Sequence, residues 1–239
     1  MKKKGNSLSV IIPAYNEEKR ISRTINLILS YLQHRNYSLE IIVVNDGSTD
    51  NTLQAVRKIK GKAIKIITYS KNQGKGYAVR KGMLAAKNNL ALLCDADLST
   101  PIEELGNFMK FVKNNDIIVG SRVLPGHKIV RKQPFFRVML GRLFIGIIKI
   151  VLGTDIQDTQ CGFKLFKNCK SLFKKQKIRG FAFDVEILAL AKKQGMSILE
   201  LPIVWKNAAG SKVNPLGDSL RMFKDIFRIR ENFINRAYK

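Results

Sequence analysis

Within its first 99 residues the chain repeats one arrangement four times: a short apolar run that stops at a cluster of polar residues. The runs are Leu8–Pro13, Leu39–Val44, Ile64–Tyr69 and Leu90–Cys94. The clusters that follow them are Tyr15–Glu17, Asp46–Ser48, Lys71–Gly76 and Asp95–Ser99. Helical patterns lie between. Ile21, Ile25, Ile28, Leu29 and Leu32 share one face of Glu17–Arg35, a second helix is expected from Thr49 to about Lys60, and Gly74-Lys75-Gly76 opens a third through Lys87. Strands apolar on both faces, alternating with helices, predict an α/β fold whose mostly parallel sheet is doubly covered. Ligands of such sheets bind beyond the carboxyl ends of the strands, so the four polar clusters should converge.

The pattern continues less regularly. Pro101 suits a helix start, with Glu103 and Glu104 in its first turn, and Ile117–Gly120 reads as a fifth strand. Beyond it, Gln133–Gly153 reads as a basic, apolar helix, Asp158–Lys167 as a loop and strand around Gly162, Ala182–Gln194 as a helix and Ile198–Val204 as a strand. Asp218–Tyr238 sets Leu220, Phe223, Ile226, Phe227 and Phe233 near one face and Arg221, Lys224, Arg228 and Arg236 on others. A length of 239 residues with 45% hydrophobic content suits one domain with a sizeable core. Leu8–Pro13 is too short for the apolar core of a signal peptide. The most apolar stretch, Val138–Gly153, is interrupted by Arg142 and Lys149 and falls short of the about 20 residues a membrane span needs. The expectation is a soluble or peripheral protein.

Charge narrows the partners. The formal net charge is +25, which points to an anion: nucleic acid, an acidic membrane surface or a phosphorylated substrate. It is uneven, with 24 Lys/Arg against 8 Asp/Glu in residues 121–239 and 19 against 10 in residues 1–120. Cys94, Cys161 and Cys169 show no CxxC spacing and the two histidines are His34 and His127, which argues against a zinc site or a disulfide framework and fits a reducing compartment. An RNP-type aromatic strand, a helix-turn-helix signature and zinc-finger spacing are absent, so nucleic acid is not the expected partner.

The strand-end residues suggest the chemistry. Asp95-Ala96-Asp97 on a tight turn puts two carboxylates within reach of one hard cation, and Mg²⁺ or Mn²⁺ prefers one or two carboxylates with phosphate oxygens and water. Such an ion can hold a diphosphate and offset its charge as it leaves. Asp46 can accept hydrogen bonds from a base or ribose, or serve in a turn or cap. Gly74-Lys75-Gly76 is not a Walker A sequence, and no GxGxxG follows the first strand, so Rossmann dinucleotide binding is unsupported.

In order, Ser9-Val-Ile-Ile-Pro-Ala-Tyr-Asn-Glu17, Val43-Val-Asn-Asp-Gly-Ser-Thr-Asp50, Asn72-Gln-Gly-Lys-Gly76 and Asp95-Ala-Asp97 resemble the inverting family 2 glycosyltransferases of GT-A fold. Gly120-Ser-Arg122, Asp158-Thr-Gln-Cys-Gly-Phe-Lys-Leu-Phe166, Phe181-Ala-Phe-Asp-Val-Glu186 and Gly210-Ser-Lys212 narrow the resemblance to dolichyl-phosphate β-glucosyltransferases and their polyprenyl-phosphate relatives. The resemblance implies a single GT-A domain with a basic amphipathic C-terminal helical region. Residues 1–120 would form the nucleotide-sugar-binding half and 121–239 the acceptor-binding, membrane-facing half. Pro13, Tyr15 and Glu17 would line the nucleotide site, Asp46 would contact the base, and Lys75 would lie near the nucleotide. Asp95 and Asp97 would bind the metal, Mg²⁺ or Mn²⁺, together with the sugar nucleotide. Ser99 stands where mannosyl relatives can carry a glutamine metal ligand, and as a serine it would be a poorer or water-mediated third ligand. Arg122 and Arg137 match arginines near the diphosphate and the acceptor phosphate, and Lys212 would close over the donor.

The reaction so implied is transfer of a hexose, with UDP-glucose favoured as donor, to dolichyl or polyprenyl phosphate with inversion. UDP-N-acetylglucosamine and GDP-mannose are the alternative donors. An acceptor phosphate is already an anion, so the site must supply alignment and charge neutralisation rather than a strong base. Asp184 and Glu186 match the region where relatives with hydroxyl acceptors place a base; each reads equally well as a structural acid at a helix start. A saccharide hydroxyl as acceptor would need one of them. The helices around Phe135–Leu152 and Leu220–Phe233 combine apolar and basic residues and are expected either at an anionic membrane interface or against the core. The corresponding location is peripheral, on the cytoplasmic face of a membrane.

Overall fold

The structure is a computed structural model that describes residues 7–33, 35, 37–130, 135–206 and 217–239; for 135–140, 142, 143 and 218 the description covers the backbone alone. Seven strands form one sheet in the order β3-β2-β1-β4-β7-β5-β8. They are β1 (Ser7–Ala14), β2 (Ser38–Asp46), β3 (Ile64–Tyr69), β4 (Leu90–Cys94), β5 (Ile117–Ser121), β7 (Phe163–Lys167) and β8 (Ile198–Pro202). A separate parallel pair, β6 (Lys128–Ile129) and β9 (Val204–Trp205), lies outside it. The helices are α1 (Ile21–Gln33), α2 (Thr52–Arg57), α3 (Lys75–Ala85), α4 (Leu105–Met109), α5 (Phe135–Leu152), α6 (Lys170–Lys175), α7 (Phe183–Lys193) and α8 (Gly217–Ile234).

The doubly covered sheet follows from the strand composition. Neighbouring β-strand residues point to opposite faces. Ile11 and Ile12 of β1 are both fully buried, yet they belong to two different cores. Ile11 belongs to the core that holds Val79 and Met83 of α3 and the buried face of α7; Ile12 belongs to the one that holds Ile21, Ile25 and Ile28 of α1. Each such side chain contributes about 1.5–3 kcal/mol of burial free energy. That is why the strands read as unbroken apolar runs rather than alternating ones.

One strand runs against the rest. β7 is antiparallel to both of its neighbours, β4 and β5, whereas β1, β2, β3 and β4, and likewise β5 and β8, pair in parallel. Phe163, the first residue of β7, therefore lies opposite Cys94, the last of β4. The loop that precedes β7 reaches the edge where the parallel strands end. Two strands of the second half thus enter the same sheet as the first-half strands.

Several boundaries differ from expectation, for local reasons. α1 begins at Ile21 rather than Glu17 because the Glu17 and Glu18 amides donate to Thr52 Oγ1 (2.6 Å) and Asp50 Oδ2 (3.2 Å). The same contacts delay α2 to Thr52. After Pro101 the chain makes a 3₁₀ turn, Ile102–Glu104, before α4. The expected strand over 198–204 breaks before Val204, because the Ile203 carbonyl turns to accept the Lys128 amide at 3.1 Å. The short α6 and β6 were not legible.

Both amphipathic helices of the second half bury one face and expose apolar residues on another. Ile148 of α5 and Ile226 and Ile229 of α8 are fully buried, and the Phe144 and Phe223 rings meet edge-on at 5.6 Å. Ile150 is 85% exposed and Ile234 70%, with Leu220 and Phe227 also outward. Among the described residues no helix is long and apolar enough to cross a membrane.

Candidate active site

The ends of β4 and β5 and the starts of α3 and β7 bring charged groups of both signs together. Asp95 follows β4 directly. Its Oδ1 lies 2.7 Å from Lys75 Nζ, at the first residue of α3. Lys75 is placed by Gly74, whose φ of 99° and close approach to the Arg179 carbonyl (2.6 Å for an added Cβ) exclude any side chain. The 176–180 segment holds this helix start: Tyr77 N–H donates to the Arg179 carbonyl (3.1 Å), and Gln176 Nε2 donates to the Gly76 carbonyl (2.8 Å). Burial alone would lower the Lys75 ammonium, but Asp95, Asp184 and Asp97 more than offset it and hold it above the ordinary lysine value. Three acids from two elements therefore share one field with Lys75.

Asp97 turns back on its own loop, its Oδ1 accepting the Ser99 amide at 2.9 Å. Leu98 between them has φ +49°, a left-handed conformation that a branched side chain adopts at a cost of about 1–2 kcal/mol. Strain of this kind concentrates at functional turns. Behind the turn, Gly162 packs so tightly on Asp95 that an added Cβ would lie 1.8 Å from Oδ2.

Arg122 follows β5. Its Nε and Nη2 donate to Asp158 Oδ2 (2.7 Å) and Oδ1 (2.8 Å), and its guanidinium lies 5.6 Å from the Trp205 ring centre. Burial opposes the charge of Arg122, yet Asp158 and Asp95 hold its pKa above the ordinary arginine value. Burial likewise pushes Asp158 up, but Arg122 and Lys164 hold it below the usual carboxylate range.

The expected site residues divide into four groups. Asp95, Asp97, Lys75, Arg122 and Asp184 share the electrostatic field just described. Pro13, Tyr15, Glu17 and Asp46 lie at neighbouring strand ends. Pro13 is buried in register with Val44, Tyr15 is 38% exposed, and the Glu17 carboxylate forks Arg20 at 2.7 and 3.0 Å. Asp46 spends its carboxylate on the 72–74 turn, accepting from Asn72 Nδ2 (3.0 Å) and the Gln73 (2.8 Å) and Gly74 (3.0 Å) amides. Asp46 thus shapes the approach to Lys75. Ser99 sits beside Asp97 through its backbone. Lys212 lies outside the described residues, and so does the side chain of Arg137, whose backbone belongs to α5.

Asp184 and Glu186 both have internal partners. Asp184 is ion-paired with Lys164, whose side chain is 1% exposed and also donates to the Cys161 carbonyl. Burial pushes the Asp184 carboxyl up, against the pull of Lys164 and Lys75. Glu186 accepts the Lys177 and Ile178 amides and the Tyr238 hydroxyl (2.7 Å), and burial raises its pKa too. Lys164 was missed as a site residue. A lysine between Phe163 and Leu165 in an apolar strand was the available sign, since such a residue is buried only with a partner.

Two carboxylates just beyond a parallel strand, with Lys75 paired to one of them and Arg122 in their field, lie on a sheet with one reversed strand, the α/β arrangement of a GT-A-like fold. Residues 9–171 match the family described as Glycosyl transferase family 2. The chain is 38% identical over 238 residues to a dolichyl-phosphate β-glucosyltransferase of Trichomonas vaginalis, covering 93% of this chain and 72% of that one. It is 35% identical over 249 residues to the dolichyl-phosphate β-glucosyltransferase of Dictyostelium discoideum, covering 97% and 76%. Glucosyl-3-phosphoglycerate synthase from Mycobacterium tuberculosis in complex with Mn²⁺ and UDP-glucose shares the fold, with a TM-score of 0.68 at 17% identity over 95% of this chain and 79% of that one. The chain belongs to glycosyl transferase family 2.

Proposed function

We propose that this enzyme transfers glucose from UDP-glucose to a dolichyl or polyprenyl phosphate with inversion. The observation that carries this reading is the cluster of Asp95 and Asp97 with the cations Lys75 and Arg122. It suits a substrate pair with a diphosphate on one side and a monophosphate on the other. The names of the similar glucosyltransferases support the acceptor, and the UDP-glucose complex of the structural neighbour supports the donor.

The residues also fit a divalent cation. Among the described residues no group of three or more His, Cys, Asp or Glu could hold a metal by itself. Two carboxylates, Asp95 and Asp97, with diphosphate oxygens completing the set, are what Mg²⁺ or Mn²⁺ needs. When bound, the ion would offset the charge of the leaving diphosphate.

The chain's own residues would act as follows. An oxygen of the lipid phosphate attacks the anomeric carbon, and the bond from that carbon to the β-phosphate oxygen breaks. Its electron pair leaves with UDP on the opposite face. Lys75 meets the negative charge near Asp95. Arg122, with its Nε–Nη2 edge taken by Asp158, offers the acceptor phosphate its remaining edge. Arg137 and Lys212 are proposed as further anion contacts on the acceptor and donor sides. Asp184 orients Lys164 and Lys75 rather than removing a proton, since an ionised phosphate needs no base.

The outward Ile150, Leu220, Phe227 and Ile234, in a half-chain rich in Lys and Arg, support docking on an anionic membrane surface at its cytoplasmic face. Flotation with anionic liposomes should weaken at high salt; binding indifferent to charge and salt would contradict the docking.

The catalytic reading is tested with a panel of labelled UDP-glucose, UDP-N-acetylglucosamine and GDP-mannose against one polyprenyl phosphate. Charged glucolipid should form from UDP-glucose. Asp97→Ala should lower kcat/KM by about 10²–10³-fold with an unchanged circular dichroism spectrum. Glucose appearing only on saccharide hydroxyls, or wild-type rates in the variant, would sink the assignment.

A further inference from the structure

We infer that Glu200 is a positioning residue for Arg122, acting through Asp158. The inference rests on the reading that Arg122 meets the acceptor phosphate. Glu200 lies on β8, an edge strand, in register with Val119 of β5. A half-buried carboxylate on an edge strand is ordinarily left to water. This one reaches across to the irregular segment before β7, where Oε2 accepts the Gln157 amide (2.8 Å) and Oε1 the Asp158 amide (2.9 Å). Two consecutive backbone donors on one carboxylate fix the position of the Asp158 main chain.

Asp158 passes that position on. Its carboxylate accepts three donors from one residue: the Arg122 amide (2.9 Å), Nε (2.7 Å) and Nη2 (2.8 Å). The guanidinium is thereby held in plane, with Trp205 near it at 5.6 Å. An arginine so bound cannot swing to follow an anion, so it selects the anion's direction as well as its charge. The consequence is also electrostatic. Because Asp158 offsets much of its charge, Arg122 acts on an acceptor phosphate chiefly through aligned hydrogen bonds. Glu200 keeps those bonds aligned without itself touching substrate.

The test compares Glu200→Gln, Glu200→Asp, Arg122→Ala and the Glu200→Gln/Arg122→Ala double variant in steady-state transfer from UDP-glucose to polyprenyl phosphate, with thermal melts alongside. Glu200→Gln keeps the side-chain volume but puts an amide donor against a backbone donor. It should raise KM for the lipid phosphate about tenfold, the loss of one charge-assisted hydrogen bond, with KM for UDP-glucose and Tm little changed. Glu200→Asp should recover part of that loss. In the Arg122→Ala background Glu200→Gln should add nothing. An equal cost in both backgrounds, or an equal rise in both KM values, would overturn the inference while leaving Arg122 its role. If Arg122→Ala itself uses lipid phosphate as well as the wild type, the acceptor reading fails and takes this inference with it.

Discussion

Lys75 Nζ rests 2.7 Å from Asp95 Oδ1, so the first carboxylate beyond β4 already has a cation beside it. Both side chains are partly open to solvent, at 23% and 33%, so the pair adds about 1 kcal/mol or less to stability. Its larger effect should be on the donor. Lys75→Ala should raise the Kd for UDP-glucose while moving Tm by only a few degrees, measured by calorimetric titration and thermal melting. An unchanged donor affinity would remove Lys75 from the nucleotide site.

Gly162 offers a cleaner separation of folding from function. A methyl group there would fall 1.8 Å from Asp95 Oδ2 and 2.3 Å from its Cγ, so the whole carboxyl group must turn away, toward the open side where the side chain is already 33% exposed. Gly162→Ala should therefore leave the urea midpoint near that of the wild type. Transfer should fall by at least about tenfold, because a displacement of the order of 1 Å is costly at a reacting centre. Full activity would mean that Asp95 is not held against this backbone during turnover.

Lys164 and Asp184 are both nearly inaccessible, and each is the other's partner. Lys164→Met should strand Asp184 beneath the site and destabilise the protein by about 3–5 kcal/mol in urea unfolding. Lys164→Met/Asp184→Leu should recover most of that loss, since a pair of similar-volume apolar residues often matches a buried ion pair. A double variant as unstable as the sum of both single variants would show that the two charges do not act as a pair.

Asp158 predicts a pH dependence of definite sign. Its folded pKa is lowered, so its contribution to stability is present above the unfolded value, near 3.8, and is lost as pH falls through the lower folded value. The Tm difference between wild type and Asp158→Asn should be constant from pH 7 to 5 and shrink below pH 4. Asp184, whose folded pKa is raised, works the other way: its contribution is lost as pH rises above the ordinary aspartate value. A Tm difference independent of pH down to 3 would contradict the Arg122–Asp158 pairing.

The strands at 64–69 and 90–94 matched expectation to the residue, and the boundaries of β1, β2 and β5 moved by one or two. A strand buried on both faces must be apolar throughout, so its limits are written in its composition. The strand-end rule likewise places Asp46, Lys75 and Asp95 on one edge. The side-chain partners were not legible in the same way. Nothing in the sequence near Asp184 points to Lys164, 20 residues away, or links Asp158 to Glu200, 42 away.

Local pattern alone determined the α/β class, the layered cores and the convergence of the acidic turns, because each of those depends on hydrophobic spacing over a few residues. Only the tertiary structure decided that β7 runs backwards between β4 and β5. Strand direction depends on where the preceding connection leaves the chain, which no window of sequence records. That reversal carries Asp158 and Gly162 to the edge where the parallel strands end, sets a backbone against Asp95, and gives Arg122 a fixed direction.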